Sequence, residues 1–408
     1  MKQTIHPTKL SGTVQVPSSK SVNHRAIISA SLADGTSKIE NVFFSEDIHA
    51  TIGAMRAIGA TITIQENTLI IDGIDLKKQT FEVPVNIDCG ESGSTLRFII
   101  PIIAAMPGQY MLTGRGLLLH RPMTPFIKML DDSNVKHEFT TTRIMIDSRD
   151  HQLKPGEYRL PGNISSQFIT GLLFTLPLLA KDSKIIIEST LESTGYIDLT
   201  IDTLRDFNVS INRNSYEDYD VPGNQTYERT TYTIEGDYSQ AAFFLVANQL
   251  GHDITLKGLK EDSKQSDKEL INFLSILNTT TEAVTLDGSN CPDVIPALTL
   301  ACALANHPTT IINVGRLRIK ECDRLNATVT ELNKLGANTI EHETSIEVHP
   351  VKSLKGNVEV ESYNDHRMAM MLAIAGTVCD TPITINESES VNKSFPTFWD
   401  VIRKLEGN

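Results

Sequence analysis

Residues 14–34 read VQVPSSKSVNHRAIISASLAD, and the reading of this stretch sets the fold. Val14 and Val16 alternate as in a short strand. Pro17, Ser18 and Ser19 turn the chain, and Val22–Ala33 has the mostly apolar make-up of a helix. A helix entered this way presents free backbone N–H groups at its start, with Lys20, Ser21 and Arg25 beside them. Dipole end, hydroxyl, point charge and guanidinium together make an anion cradle. A capped helix with solvated cations is the plainer reading of the stretch alone.

The same design recurs five times. Apolar segments follow polar turns at Thr95–Met106, Gln167–Ala180, Gln240–Leu250, Val294–Ala305 and Met368–Val378. Markers at the six entrances are Lys20, Gly93, Ser165, Tyr238, Asp293 and His366, spaced by 73, 72, 73, 55 and 73 residues, which is the signature of an internal repeat. Helices apolar on nearly every side belong inside a domain. A second set bears a single apolar stripe and ends in a small or polar breaker: Asp47–Ile58, Pro122–Ser133, Tyr196–Phe207, Asp267–Leu277, Asp323–Leu335 and Pro396–Leu405. Short β-like runs lie between them, among them Lys38–Val42, Thr61–Ile64, Lys184–Glu188, Tyr232–Ile234, Thr309–Val314 and Pro382–Asn386. One repeat is therefore strand, buried helix, strand, amphipathic helix and two further strands. Three repeats per domain give two α/β domains of similar design, which suits a chain of 408 residues.

Composition narrows the class. The first ten residues, MKQTIHPTKL, have no apolar core and do not read as a signal peptide, and apolar runs such as Phe98–Met106 are too short to span a bilayer. Five cysteines form no C-x-x-C pair, which speaks against zinc and structural disulfides and for a reducing cytoplasm. A net charge of −13 argues against nucleic acid or anionic membrane as partner. Anionic small molecules remain open, provided that cations gather locally.

Such a gathering is present near the six entrances. The cations are Lys20, Arg25, Arg97, Arg121, Lys320, Arg324, Arg367 and Lys393. Hydroxyls and amides come from Ser21, Ser165, Ser166, Gln167 and Ser193, and carboxylates from Asp293, Glu321, Asp323 and Asp365. Arginine captures phosphate or carboxylate bidentately and lysine acts as a point charge. Each has a bland alternative. Asp293 could cap the helix that follows it, His366 could be structural, residues 320–324 could be a solvated helix start, and residues 90–94 a plain turn.

Four stretches carry a family resemblance: PSSKSVNHR at 17–25, SSQF at 165–168, RIKECDRL at 318–325 and YNDHRMAM at 363–370. In content and order they resemble the motifs of the 5-enolpyruvylshikimate-3-phosphate synthases. The resemblance implies an inside-out α/β barrel fold of six βαβαββ units in two domains. It implies a chain that crosses between domains twice, with 14–234 as one lobe and 1–13 plus 235–408 as the other, closing on a cleft. The implied reaction joins shikimate 3-phosphate to phosphoenolpyruvate and releases phosphate, with no metal or organic cofactor, in a monomer.

Carried over by motif, Ser21, Arg25, Ser165, Ser166, Gln167, Ser193 and Tyr196 would hold shikimate 3-phosphate. Gly93, Arg121, Gln167, Arg324, His366, Arg367 and Lys393 would hold phosphoenolpyruvate, and Lys20 would touch both. Asp293 and Lys320 would flank the reacting hydroxyl, with Asp293 as base and Glu321, or else Lys20, as proton donor. Two positions depart from the family pattern: Glu91 replaces a common asparagine in G-N-x-G, and Arg316 stands where some relatives have asparagine. A related enolpyruvyl transferase acting on a UDP-amino sugar is the nearest alternative, but residues 106–121 lack the cysteine it commonly carries. An RNA 3′-phosphate cyclase is disfavoured by the acidic charge balance. A non-catalytic anion-binding module would need the cations without Asp293 and Glu321.

Overall fold

The structure is a computed structural model that describes residues 1–76, 79, 81 and 83–407. Among them twelve α-helices alternate in kind: α1 (Lys20–Ser31), α2 (Glu46–Ala57), α3 (Gly93–Ala104), α4 (Thr124–Asp132), α5 (Ser166–Thr175), α6 (Thr194–Asp206), α7 (Tyr238–Gln249), α8 (Leu270–Thr279), α9 (Ile295–Ala303), α10 (Arg324–Lys334), α11 (His366–Thr377) and α12 (Phe398–Leu405). The odd-numbered helices are buried nearly all round, and α9 and α11 are buried at every residue. The even-numbered ones bury one side.

Four entrances expected as turns are already helical. Lys20, Gly93, Tyr238 and His366 each begin a helix, two residues before the apolar run. The reason is capping. Ser92, Asp237 and Asp365 precede α3, α7 and α11, and their side chains accept from backbone N–H groups of the first turn, so polar residues start the helix. Proline explains two further differences. The expected helix Gln167–Ala180 stops at Thr175 and continues as a 3-10 turn, Leu176–Leu178, because Pro177 has no N–H to donate. Asp293 lies in a 3-10 turn, Pro292–Val294, ahead of α9. The segment expected to be helical from Asp267 likewise opens as a 3-10 turn, Ser266–Glu269.

The chain divides into two compact units. Lys20–Glu235 forms one, here the N-terminal unit; Met1–Ser19 and Gly236–Asn408 form the other, the C-terminal unit. Four of the sheets formed by the described residues are four-stranded, each with one parallel and two antiparallel pairings. In the second repeat, for instance, Val85–Asp88 pairs parallel to Gln109–Thr113 across the α3 crossover. Ile144–Asp147 then lies antiparallel to Gln109–Thr113, with Lys136–Phe139 at the edge. Strands alternate buried and part-exposed residues, as in Ser183–Ile187, so each sheet packs one face on the buried helices.

Two strands are exchanged. Ser11–Gln15, which precedes α1, pairs parallel with Asp253–Lys257 of the C-terminal unit. Thr231–Thr233, which leads toward α7, pairs parallel with Thr36–Glu40 of the N-terminal unit. The first division therefore falls after Ser19 rather than near residue 13: the strand runs through that point and its pairing carries on into Val16 N–H to Lys257 O, 2.9 Å.

In the N-terminal unit, α3 and α5 pack with little room. Pro101 inside α3 cannot donate to the Arg97 carbonyl four residues back. Gly171 of α5 lies against that carbonyl, and a Cβ there would sit 2.5 Å from it. A glycine is thus required where the two helices cross, which fixes Arg97 and Gln167 on their adjoining starts.

Candidate active site

The N-terminal unit gathers its polar residues where α1, α3, α5 and α6 begin. Arg25 is buried and donates from all three guanidinium nitrogens: Nε to Thr200 Oγ1 (2.9 Å), Nη1 to Ser21 O (2.8 Å) and Nη2 to Tyr196 O (2.8 Å). It also lies 5.5 Å from the Phe98 ring centroid. Every one of those acceptors is neutral. Burial pushes the Arg25 pKa down to about 10, against weak support from Tyr196 and Tyr232. His24, the residue before it, is held well below the ordinary imidazole range, by burial first and then by Lys20 and Arg25. Its Nδ1 lies 2.7 Å from Thr51 Oγ1, which in turn lies 2.6 Å from Thr95 Oγ1. Lys20 pairs with Asp47 Oδ2 at 3.0 Å.

A second group surrounds Gly93. Arg97 Nη1 donates to Gln167 Oε1 (2.7 Å), and Gln167 Nε2 donates to Ser94 Oγ (3.0 Å). A Cβ on Gly93 would lie 2.8 Å from Arg121 Nη1, so glycine lets that guanidinium approach the start of α3. Ser165 caps α5 by accepting from Gln167 N–H, and Ser166 is buried behind it. Ser193, at the start of α6, has the left-handed φ of 59°. Its carbonyl accepts from Tyr196 N–H at 3.1 Å. Glu91 lies beside Gly116, whose Cβ would sit 3.0 Å from the Glu91 carboxyl group.

The C-terminal unit builds a denser charge cluster. Arg324 donates to three carboxylates: Asp293 Oδ1 (2.9 Å), Glu321 Oε2 (2.5 Å) and Asp365 Oδ2 (2.8 Å). Burial works to lower its pKa, but Asp365, Glu321 and Asp293 together raise it well above the usual arginine range. Asp293 is the hub, since Lys320 Nζ (3.5 Å) and Arg367 Nη2 (3.3 Å) also reach it. Burial lowers the Lys320 pKa, and Asp293 only partly restores it. Arg367 is buried, and its Nε and Nη1 have no hydrogen-bond partner among the described residues. Lys393 Nζ donates to Asn364 O at 2.5 Å, and His366 is buried at the start of α11.

The structure thus brings Arg25, Ser21 and Tyr196 together, and Gly93, Arg97, Arg121 and Gln167 together. In the other unit it joins Asp293, Lys320, Glu321, Arg324 and Arg367. The charge run 320–324 is no solvated helix start, for Arg324 is buried by carboxylates from three elements. Asp293 directs its carboxylate to cations and does not serve as a simple cap. Nothing in the local sequence points to Asp47, Thr51, Ser94 or Thr200 as partners. Asp47 and Thr51 sit on the buried side of an ordinary amphipathic helix, which carries no distinguishing mark.

Comparison with known proteins gives one answer. A family model described as EPSP synthase (3-phosphoshikimate 1-carboxyvinyltransferase) matches residues 5–402. A curated protein named 3-phosphoshikimate 1-carboxyvinyltransferase from Clostridium botulinum (strain Alaska E43) is 49% identical over 421 residues, covering 99% of this chain and 97% of that protein. One of the same name from Clostridium perfringens (strain 13) is 46% identical, covering 100% and 98%. Among solved structures, EPSP synthase from Acinetobacter baumannii has a TM-score of 0.81 at 24% identity, covering 99% of this chain and 98% of that one. The enolpyruvyl transferase NikO from Streptomyces tendae has a TM-score of 0.78 at 16% identity, covering 98% and 96%. At those identities the two structures establish the fold: α/β, with six repeats in two domains around buried helices.

Proposed function

The chain belongs to the EPSP synthase family, and from that premise we propose how its residues work. The enzyme transfers the enolpyruvyl group of phosphoenolpyruvate to the 5-hydroxyl of shikimate 3-phosphate and releases phosphate, a step toward chorismate and the aromatic amino acids. The observation that carries the residue assignment is the pair of buried guanidinium groups whose charge or donors the protein leaves uncompensated. Arg25 has only neutral acceptors, and Arg367 has two nitrogens without a partner among the described residues. Buried cations of this kind suit anionic ligands.

Shikimate 3-phosphate is held by Lys20, Ser21, Arg25, Ser165, Ser166, Gln167, Ser193 and Tyr196, with Asp293 and Lys320 at its hydroxyl. Phosphoenolpyruvate is held by Gly93, Arg121, Gln167, Arg324, His366, Arg367 and Lys393, and Lys20 contacts both ligands. The hydroxyl oxygen bonds to the middle carbon of phosphoenolpyruvate as its proton passes to Asp293, and Glu321 protonates the methylene carbon. Arg324 already serves three carboxylates. When the ligand's carboxylate takes one of those places, Glu321 is released to carry a proton. The tetrahedral adduct then loses a proton from the new methyl group and expels phosphate, whose charge the surrounding cations stabilise. The net charge of −13 favours no nucleic-acid partner. Five free cysteines accord with a reducing cytoplasm; no helix among the described residues is long and apolar enough to cross a membrane. We read the enzyme as a monomer.

The test is a phosphate-release assay. Release should require both phosphoenolpyruvate and shikimate 3-phosphate and fail with a UDP-amino sugar. Asp293→Asn should lower kcat about 10²- to 10⁴-fold with KM little changed. A variant that loses binding and turnover in equal measure would assign Asp293 a structural role instead.

A further inference from the structure

The segment between the 3-10 turn Gly315–Ile319 and α10 carries two of the assigned groups, Lys320 and Glu321. Its side chains fasten it. Lys320 reaches Asp293, Glu321 takes Arg324, and the Cys322 thiol lies 3.7 Å from Asp365 Oδ2. Arg318 fastens the outer side. Its Nη1 donates to Asp323 Oδ2 (2.9 Å) and Glu341 Oε1 (2.6 Å), its Nη2 to His342 O (2.8 Å) and its Nε to Glu343 O (3.1 Å). One guanidinium therefore ties the 3-10 turn before the segment to Asp323, the segment's last residue, and both to the hairpin formed by Asn338–Glu341 and Ile346–His349. Asp323 is held from both sides, since its other oxygen caps α10 at Asn326 N–H, 3.0 Å.

We propose that Arg318 is a positioning residue for the reaction: by closing residues 318–323 on themselves and on this hairpin, it sets where Lys320 and Glu321 stand against Asp293. A surface ion pair alone would contribute little. Here the fork engages two carboxylates and two fixed carbonyls, an arrangement that a lysine cannot reproduce. Displacing a reacting group by about 1 Å can cost on the order of 100-fold in rate, so a residue that touches neither substrate can govern turnover. The inference rests on the assignment of Lys320 and Glu321 above.

Three variants of the full chain test it: Arg318→Met, Arg318→Lys and Asp323→Asn, the last keeping an α10 cap while losing the ion pair. Arg318→Met should lower kcat by roughly 10- to 100-fold, with KM for either substrate shifting less than about threefold. Arg318→Lys should recover part of the loss, and Asp323→Asn should lose severalfold. The alkaline limb of the kcat–pH profile should move upward in Arg318→Met, because a loosened segment hydrates Lys320. Lys320 is faced chiefly by Asp293, Arg324, Arg316 and Glu321, all of which remain in Arg318→Met, so a moved limb reports position. An unchanged kcat in folded Arg318→Met overturns the inference. If that variant does not fold, an Asp323→Asn enzyme with unaltered kcat and pH profile does so in its place. Lys320→Met and Glu321→Gln separate the two levels. Should both stay fully active, the assignment itself falls; should they be inactive while Arg318→Met is fully active, only the positioning role fails.

Discussion

Arg25 in the N-terminal unit and Arg324 in the C-terminal unit are both almost wholly buried, at 2% and 1% exposure, but their surroundings are opposite. Arg25 is bonded to a hydroxyl and two carbonyls and has no carboxylate partner among the described residues. Arg324 is enclosed by Asp293, Glu321 and Asp365. Burial pushes the first toward losing its proton, while carboxylates hold the second firmly charged. One unit therefore keeps a cation in want of a counter-ion. The other keeps a cluster in which Arg324 is already matched by carboxylates. That division suits a reaction in which one partner is held by its phosphate while the other's chemistry needs a base and an acid close at hand.

Three experiments would break or sharpen the contrast. The largest effect belongs to Arg324→Met. Removing the shared cation leaves three carboxylates crowded in a buried place, and the loss should be about 3–5 kcal/mol in stability with turnover abolished, read by urea unfolding and the phosphate assay. A variant as stable as the parent would show that the cluster is not held by its cation.

Arg25→Met should behave differently. With no buried carboxylate left stranded, stability should change by about 1 kcal/mol or less in either direction, while affinity for shikimate 3-phosphate drops by about 1.5–3 kcal/mol. Calorimetry reads the second quantity, and a stability loss as large as that of Arg324→Met would erase the distinction.

The smallest effect concerns His24. Burial, then Lys20 and Arg25, hold it neutral in the folded state, well below the ordinary imidazole value of 6.5. The unfolded chain therefore binds this proton first. The stability its neutral form contributes is complete above about pH 6.5 and declines below it, by about 1.4 kcal/mol per pH unit for one proton. Unfolding titrations from pH 7.5 to 5 should show this slope, and His24→Gln should flatten it. An unchanged slope in the variant would free His24 of the role.

Much of this architecture was legible beforehand because it is written in local composition. An apolar run with a polar entrance, repeated at intervals near 73 residues, marks helices that must be buried, and four of the six marker residues are the first residues of their helices. The two-residue error at those starts has a local cause as well: Ser92, Asp237 and Asp365 resemble turn residues because capping and turning use the same side chains. Arg324 was legible as a cation but not as a buried one, since its partner Asp365 stands 41 residues away. Lys20 and Asp47 pair across 27 residues by the same kind of meeting.

By itself, the sequence determined the repeat, the alternation of buried and amphipathic helices, and the residue types gathered at the helix entrances, because these follow from periodicity and capping within a few residues. Only the tertiary structure decided that Ser11–Gln15 pairs with Asp253–Lys257 and Thr231–Thr233 with Thr36–Glu40, and which cations meet carboxylates. Strand exchange and ion pairing depend on contacts between residues far apart in the chain. Their energies come from desolvation and pairing in the folded state, which no local pattern encodes.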